Sequence, residues 1–241
     1  MPDKHASPGV VDAVISPPQP ATQTVAEMLE YGQALFEQNA VYFGHGTDNA
    51  WDEAVYLLSF VLELAPDVDR SVLERSLSEQ QQAAILALFQ RRIDERIPAA
   101  YLTGRAWFCG LPFNVDERVI IPRSPIAELI VNGFQPWCAA EPSRVLDLCA
   151  GSGCIGIACA YAFENAEVVL SDISPAALEV AEANIALHKF AYRVSALESD
   201  LFAGLSREQF DLIVSNPPYV DAEDFAEMPD EYHHEPELAL V

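Results

Sequence analysis

From residue 143 onward, short apolar runs alternate with helical stretches and glycine turns, and this alternation constrains the fold more than any other feature. RVLDLC (144–149) reads as a buried strand and GSGCIGIACAYAF (151–163) as the helix that follows. VVLSD (168–172) is a second strand, and Ser174 with Pro175 opens a helix reaching about Leu187. YRVSAL (192–197) and FDLIVS (210–215) are a third and a fourth strand. Strands joined by helices pair in parallel through right-handed crossovers, so the pattern predicts a doubly wound α/β domain.

The text upstream has a different texture. Pro2, Pro8, Pro17, Pro18 and Pro20 forbid regular structure, so residues 1–20 read as a disordered tail. Residues 21–103 read as a small helical domain. Val25, Met28, Leu29, Leu35 and Phe36 share one helix face, and Trp51 to Leu64 form a second helix stopped by Pro66. Ser78 with Gln81 is a capping-box signature for a third, running to about Ile97. Residues 104–124 form a linker: Trp107, Phe108 and Cys109, the turn residues Gly110 and Pro112, then Phe113, Val115, Val119, Ile120 and Ile121 read as a β-hairpin. Ser124 as N-cap and Pro125 at the first helical position open a helix to about Phe134.

The 241 residues carry 13 Lys and Arg against 37 Asp and Glu, a formal charge of −24. That balance disfavours a protein that grips nucleic-acid phosphates and suits a basic partner. No apolar run approaches a membrane span, and the N-terminus lacks a secretory signal. The five cysteines contain no C-x-x-C pair, so they read as small buried residues in a reducing cytoplasm, and no metal site is expected.

Two motifs carry chemistry. The first is Asp147-Leu148-Cys149-Ala150-Gly151-Ser152-Gly153 at a strand-to-helix turn. Its glycines allow a tight turn and close approach of a ligand to backbone, and the next helix offers free N–H groups. Asp172 closes the second strand 21 residues after Gly151, where a carboxylate can accept both hydroxyls of a ribose. Residues 151–156 also spell G-x-G-x-x-G, which alone admits a nicotinamide cofactor. Asp147, inside the strand, suits a cationic amino-acid portion better than a pyrophosphate.

The second motif, Asn216-Pro217-Pro218-Tyr219, follows the fourth strand at the crevice where open α/β sheets bind ligands. An amide or aromatic amino nitrogen is a poor nucleophile because its lone pair is delocalised. The Asn216 side-chain oxygen can accept one of its N–H bonds and the Pro217 carbonyl the other. Pro218 fixes φ, and Tyr219 can stack on the planar group.

These motifs, in this order, resemble the class I S-adenosylmethionine-dependent methyltransferases, and NPPY resembles the set acting on planar nitrogens. YLTGRAWFCGLPFNVDERVIIPRSPIAELI (101–130) and YHHEPELAL (232–240) are similar to the HemK/PrmB protein-glutamine methyltransferases. Pro122-Arg123-Ser124-Pro125-Ile126-Ala127-Glu128 stands where the release-factor branch carries PRPxTE, and so resembles the PrmB branch. The resemblance implies a Rossmann-like methyltransferase domain over 125–241, with S-adenosylmethionine as cofactor. It implies N5-methylation of a glutamine in the third protein of the large ribosomal subunit, a basic partner.

Carried over, the glycine-loop positions fall on Cys149, Ala150, Gly151, Ser152 and Gly153, with Cys149 where many relatives have glycine. The ribose acid maps to Asp172, the adenine contacts to Asp200 and Leu201, and the substrate positions to Asn216, Pro217, Pro218 and Tyr219. The family sheet has seven strands, and only 26 residues follow Ser215, so the chain reads as lacking the last strands, with 210–215 as an apolar edge. Residues 221–241 hold eight acids and no Lys or Arg, an acidic rim beside NPPY. Arg123 faces either the cofactor carboxylate or a neighbouring acid, and His233 and His234 lie near the mouth. The alternatives are a release-factor glutamine methyltransferase, an adenine-N6 or guanine-N2 methyltransferase of nucleic acid, and a binding module without turnover.

Overall fold

The computed structural model describes residues 24–65, 67–205 and 208–241. The expected tail at 1–20 and the stop at Pro66 lie outside these residues. The chain divides into two units, one containing 24–41 and 50–95, the other 42–49 and 96–241.

The first unit holds α1 (Val25–Gln38), α2 (Ala50–Leu62) and α3 (Glu79–Asp94). Thr24 caps α1 in a reciprocal box with Glu27, and Ser78 and Gln81 form the expected box on α3. The α3 helix stops at Asp94, short of Ile97, because Arg96 takes a left-handed φ of 56° just before the Ile97–Pro98 step. Phe36 and Phe89 pack edge to face at 5.1 Å. Beside them, Glu53 of α2 and Arg92 of α3 form a buried ion pair at 2.5 Å.

The second unit begins its regular structure with α4 (Ala99–Thr103), ended by Gly104, then β1 (Arg105–Phe108) and β2 (Leu111–Asn114). The hairpin is shorter than the sequence predicts. The ladder ends where Arg105 pairs with Asn114: one more backbone bond follows, from the Val115 N–H to the Gly104 carbonyl at 3.2 Å, and Gly104, in left-handed conformation at the end of α4, turns the partner chain away. Val115, Val119 and Ile121 are buried, but in a loop packed on Ala100, Ala177 and Val180. The next helix, α5 (Ile126–Val131), also ends early, because Gly133 and Phe134 take φ of 58° and 55°.

The sheet contains β3 (Arg144–Leu148), β4 (Glu167–Asp172), β5 (Val194–Glu198) and β6 (Leu212–Ser215). All pairings are parallel, in the order β5-β4-β3-β6. Helices α6 (Cys154–Ala162) and α7 (Pro175–Leu187) make the crossovers, and Ser174 caps α7 with Pro175 at its first position, as expected. The α6 helix starts at Cys154, three residues later than the sequence predicts, because Gly151 and Gly153 hold positive φ. Val145, Val168, Leu170, Val194 and Val214 share the larger core with Ile157 and Ala158 of α6. Leu146 and Leu148 form a smaller cluster with Leu205 on the opposite face. Strand β6 lies at a sheet edge, with Ile213 49% exposed. A short helix, α8 (Ala222–Ala226), follows it.

Candidate active site

The C-terminal ends of the parallel strands open into a cavity of about 280 Å³. Its floor is the turn between β3 and α6. Cys149, Gly151 and Gly153 all take left-handed φ, of 61°, 53° and 76°. Only glycine fits at the last of these, since a Cβ on Gly153 would lie 2.6 Å from Leu170 Cδ1. Asp172, at the end of β4, accepts the Gly151 N–H at 2.8 Å and the Ser174 N–H at 2.9 Å. One carboxylate thus pins the glycine turn and starts α7. Each of its oxygens still has a free lone-pair direction.

At the end of β5, Ser199 orders the next wall. Its hydroxyl donates to the Leu201 carbonyl at 2.8 Å and accepts from Gly204 N–H at 2.8 Å. Leu201 holds a left-handed φ of 48° there. At the end of β6, the Ser215 hydroxyl donates to the Leu148 carbonyl at 2.7 Å. That bond ties the approach to Asn216 onto the strand that carries the glycine turn.

Of the residues singled out by sequence, Cys149, Gly151, Asp172, Asp200, Leu201, Asn216, Pro217 and Pro218 line the cavity together. Ala150, Ser152 and Gly153 do not; they are buried in the turn behind the wall. Tyr219 is 82% exposed and does not line the cavity, while its backbone N–H donates to the Leu240 carbonyl.

Asp147 is also displaced from its expected role. It is fully buried and off the cavity wall. Strand alternation explains this: Asp147 pairs in register with Leu170 and shares the face of Val145, toward α6, whereas Leu148 reaches the cavity. Its Oδ2 accepts the Gly156 N–H at 2.8 Å, and Oδ1 has no hydrogen-bond partner among the described residues. Gly156 is the last glycine of the G-x-G-x-x-G string, and a Cβ there would lie 2.9 Å from Asp147 Cβ. That glycine serves close helix-to-strand packing.

Burial pushes the Asp147 carboxyl up to about 7; the Gly156 N–H opposes the shift and the Asp172 charge adds to it. A carboxyl that binds its proton more tightly when folded favours folding most below its unfolded pKa near 4. That contribution is lost as pH rises to about 7. Asp147→Asn keeps the acceptor for Gly156 without the ionisation. Its stability relative to the parent is expected to improve from pH 5 to pH 8, by roughly 2.7 kcal/mol at most, since about two pH units of that window lie below the folded value of about 7. Denaturant titrations at both pH values check this, and a pH-independent difference would disprove it.

Sequence reasoning missed two of the cavity walls. Arg118, Val119 and Ile120 form one, and Pro236, Leu238 and Ala239 the other. The sequence reads the first stretch as part of a β-hairpin and the second as part of an acidic rim, and neither reading places them against a ligand. Arg123 pairs with an acid, Glu235, through two bonds of 2.7 and 2.5 Å. His233 packs on the Phe225 ring at 4.9 Å, and neither His233 nor His234 lines the cavity.

Residues 27–104 match the PrmC N-terminal domain, and residues 127–229 match the methyltransferase small domain. The chain is 48% identical over 219 residues to the ribosomal protein uL3 glutamine methyltransferase of Francisella tularensis. It is 49% identical over 219 residues to the protein of that name from Xanthomonas campestris. Each alignment covers 90% of this chain and 70% of the relative. The chain belongs to the uL3 glutamine methyltransferase family. Membership decides between the two readings of the glycine string in favour of a methyltransferase turn. Among solved structures, the ribosomal protein L11 methylase of Lactobacillus delbrueckii overlaps 48% of this uL3 methyltransferase family member and 57% of its own chain, at 28% identity and a TM-score of 0.34.

Proposed function

We propose that the cavity binds S-adenosylmethionine and that the chain directs its methyl group to N5 of a glutamine side chain in ribosomal protein uL3. The observation that carries this reading is the meeting of two motifs at one cavity: Asn216 and Pro217 form its rim while Gly151 and Asp172 form its floor.

The residues present suit that cofactor. Asp172 offers carboxylate lone pairs to ribose hydroxyls, Asp200 offers an acceptor for the adenine amino group, and Ile120, Ile173, Leu201 and Leu238 offer apolar cover for a purine. The cofactor supplies a methyl carbon made electrophilic by its bond to a sulfonium. The chain's own part is positioning. Asn216 Oδ1 and the Pro217 carbonyl hold the two hydrogens of the glutamine amide, which turns the nitrogen lone pair toward the methyl carbon. With the cofactor bound, the amide nitrogen so held would take the methyl group as the S–C bond is exchanged for an N–C bond, and its proton would pass to water. No side chain is needed as a base before transfer.

A basic protein substrate also fits the rim. Asp221, Glu223, Asp224, Glu227, Asp230 and Glu237 are exposed on the segment after Asn216. Of the eight acids in residues 221–241, Glu231 and Glu235 are buried and belong to the scaffold instead. The same exposed acids repel a phosphate backbone. A ribosomal-protein substrate places the reaction in the cytoplasm. Among the described residues no helix is long and apolar enough to cross a membrane.

Incubation with methyl-labelled S-adenosylmethionine and separately purified uL3, release factor and tRNA tests the reading. Label in a uL3 glutamine supports it, and label only in release factor or RNA overturns it. Bound cofactor with no transfer to any of them supports a binding module instead. If the acidic rim steers uL3, KM is expected to rise several-fold between 50 and 300 mM salt while kcat holds, because exposed charges are screened over roughly 10 Å.

Asp172→Ala is expected to weaken cofactor binding by about 1–3 kcal/mol, the range for hydrogen bonds to a charged group. Titration calorimetry measures it, and unchanged affinity would remove Asp172 from the ribose role.

A further inference from the structure

Two cavity walls come from distant stretches, residues 118–120 and residues 236–239, and one carboxylate lies between their backbones. Glu235 immediately precedes Pro236, a wall residue. Its Oε1 accepts the N–H of Ile121, the residue immediately after the wall residue Ile120, at 2.9 Å. The Arg123 guanidinium donates to both oxygens of Glu235, at 2.7 and 2.5 Å. His45 Nε2 lies 3.7 Å away, and the Glu235 side chain is wholly buried. The Tyr232 ring closes the cage, 5.3 Å from the guanidinium carbon and 4.4 Å from the His45 ring. Further along, the Leu240 carbonyl accepts from the backbone of Tyr219 and Val220, so the wall is tied at its other end to the segment after Asn216. Tyr101 braces the opposite wall through a 2.6 Å bond from its hydroxyl to the Val119 carbonyl.

We infer that Glu235 is a positioning residue for the cofactor: its bonds to Ile121 and Arg123 set the spacing between the 118–120 and 236–239 walls that enclose the adenosyl group. The inference rests on the reading of the cavity as the S-adenosylmethionine pocket. A buried carboxylate held by a guanidinium fork and a backbone N–H has fixed direction as well as strength. Shortening or neutralising it lets the walls separate without touching any group that meets the cofactor. The affinity lost should appear mainly as faster cofactor release, because the walls cover a ligand after it has entered.

A structural role alone makes a different forecast, and a pair of variants separates the two. Glu235→Gln leaves the half-buried Arg123 charge without its carboxylate, so both stability and cofactor affinity should fall. Arg123→Gln with Glu235→Gln removes both charges and should regain most of the melting temperature. If Glu235 sets the walls, the double variant still binds S-adenosylhomocysteine at least tenfold more weakly than the parent, with the change in the dissociation rate. Glu235→Asp, which keeps the charge but is one methylene shorter, should fall between. The measurements are calorimetric Kd, stopped-flow dissociation and melting temperature on the full chain. Parental affinity in the folded double variant or in Glu235→Asp overturns the inference alone. Failure of the parent chain to bind S-adenosylhomocysteine removes the pocket reading and this inference with it.

Discussion

Asn216→Ala is expected to bind S-adenosylmethionine like the parent and to transfer methyl at least about 100-fold more slowly. Asn216 stands at the cavity rim, one residue after Ser215, whose hydroxyl locks the end of β6 onto the Leu148 carbonyl at 2.7 Å. Its amide is therefore presented from a fixed backbone rather than a mobile loop. Losing it removes one of the two acceptors for the glutamine amide and leaves the nitrogen free to rotate its lone pair back into conjugation. The cofactor contacts assigned to Gly151, Asp172 and Asp200 lie on other strand ends and are untouched. Single-turnover transfer with labelled cofactor, alongside calorimetric Kd, measures both arms. Near-normal transfer would defeat the positioning mechanism, and a large loss of cofactor affinity would reassign Asn216 to the cofactor.

The largest stability effect is expected in the helical unit. Arg92→Met should destabilise it by about 3–5 kcal/mol, since it leaves the Glu53 charge buried without its guanidinium. The pair joins α2 to α3 at 2.5 Å, with side chains 1% and 4% exposed. Replacing both residues with apolar groups of similar size should recover most of the loss, because the desolvation cost of both ions disappears with their attraction. Chemical denaturation followed by circular dichroism, with hydrogen exchange in α2 and α3, measures this. An Arg92→Met protein within 1 kcal/mol of the parent, or a double variant no better than the single, would contradict the account; the recovery criterion follows from the same energetics.

Much of the site was legible because it is local. The glycine turn, the Ser174 cap with Pro175 and the carboxylate at the end of β4 are bound by interactions that span few residues or one crossover. Asp172 reaches Gly151 across 21 positions, within one strand-helix-strand unit whose right-handed path the alternating pattern already implies. NPPY could be placed for the same reason: a fourth parallel strand returns beside the first, so its end meets the glycine turn.

Asp147 shows where a motif read as a string falls short. The residue sits in the expected strand, but the string does not say which face it presents. Register with Leu170 turned it toward α6 and away from the cavity. The acids after NPPY show the same limit. Composition alone made them one rim, whereas the fold left six exposed and buried Glu231 and Glu235.

By itself, then, the sequence determined the order of strands and helices, the glycine turn, and the placing of Asp172 and Asn216 at strand ends, because hydrophobic period and turn residues act over short spans of chain. Tertiary structure alone decided what closes the cavity. Ile121 and Glu235 are 114 residues apart, and Arg123 and Glu235 are 112 apart. A carboxylate becomes a scaffold bond at such separation only when packing excludes water around it and brings a guanidinium and a backbone N–H to it. No pattern within either stretch records that meeting.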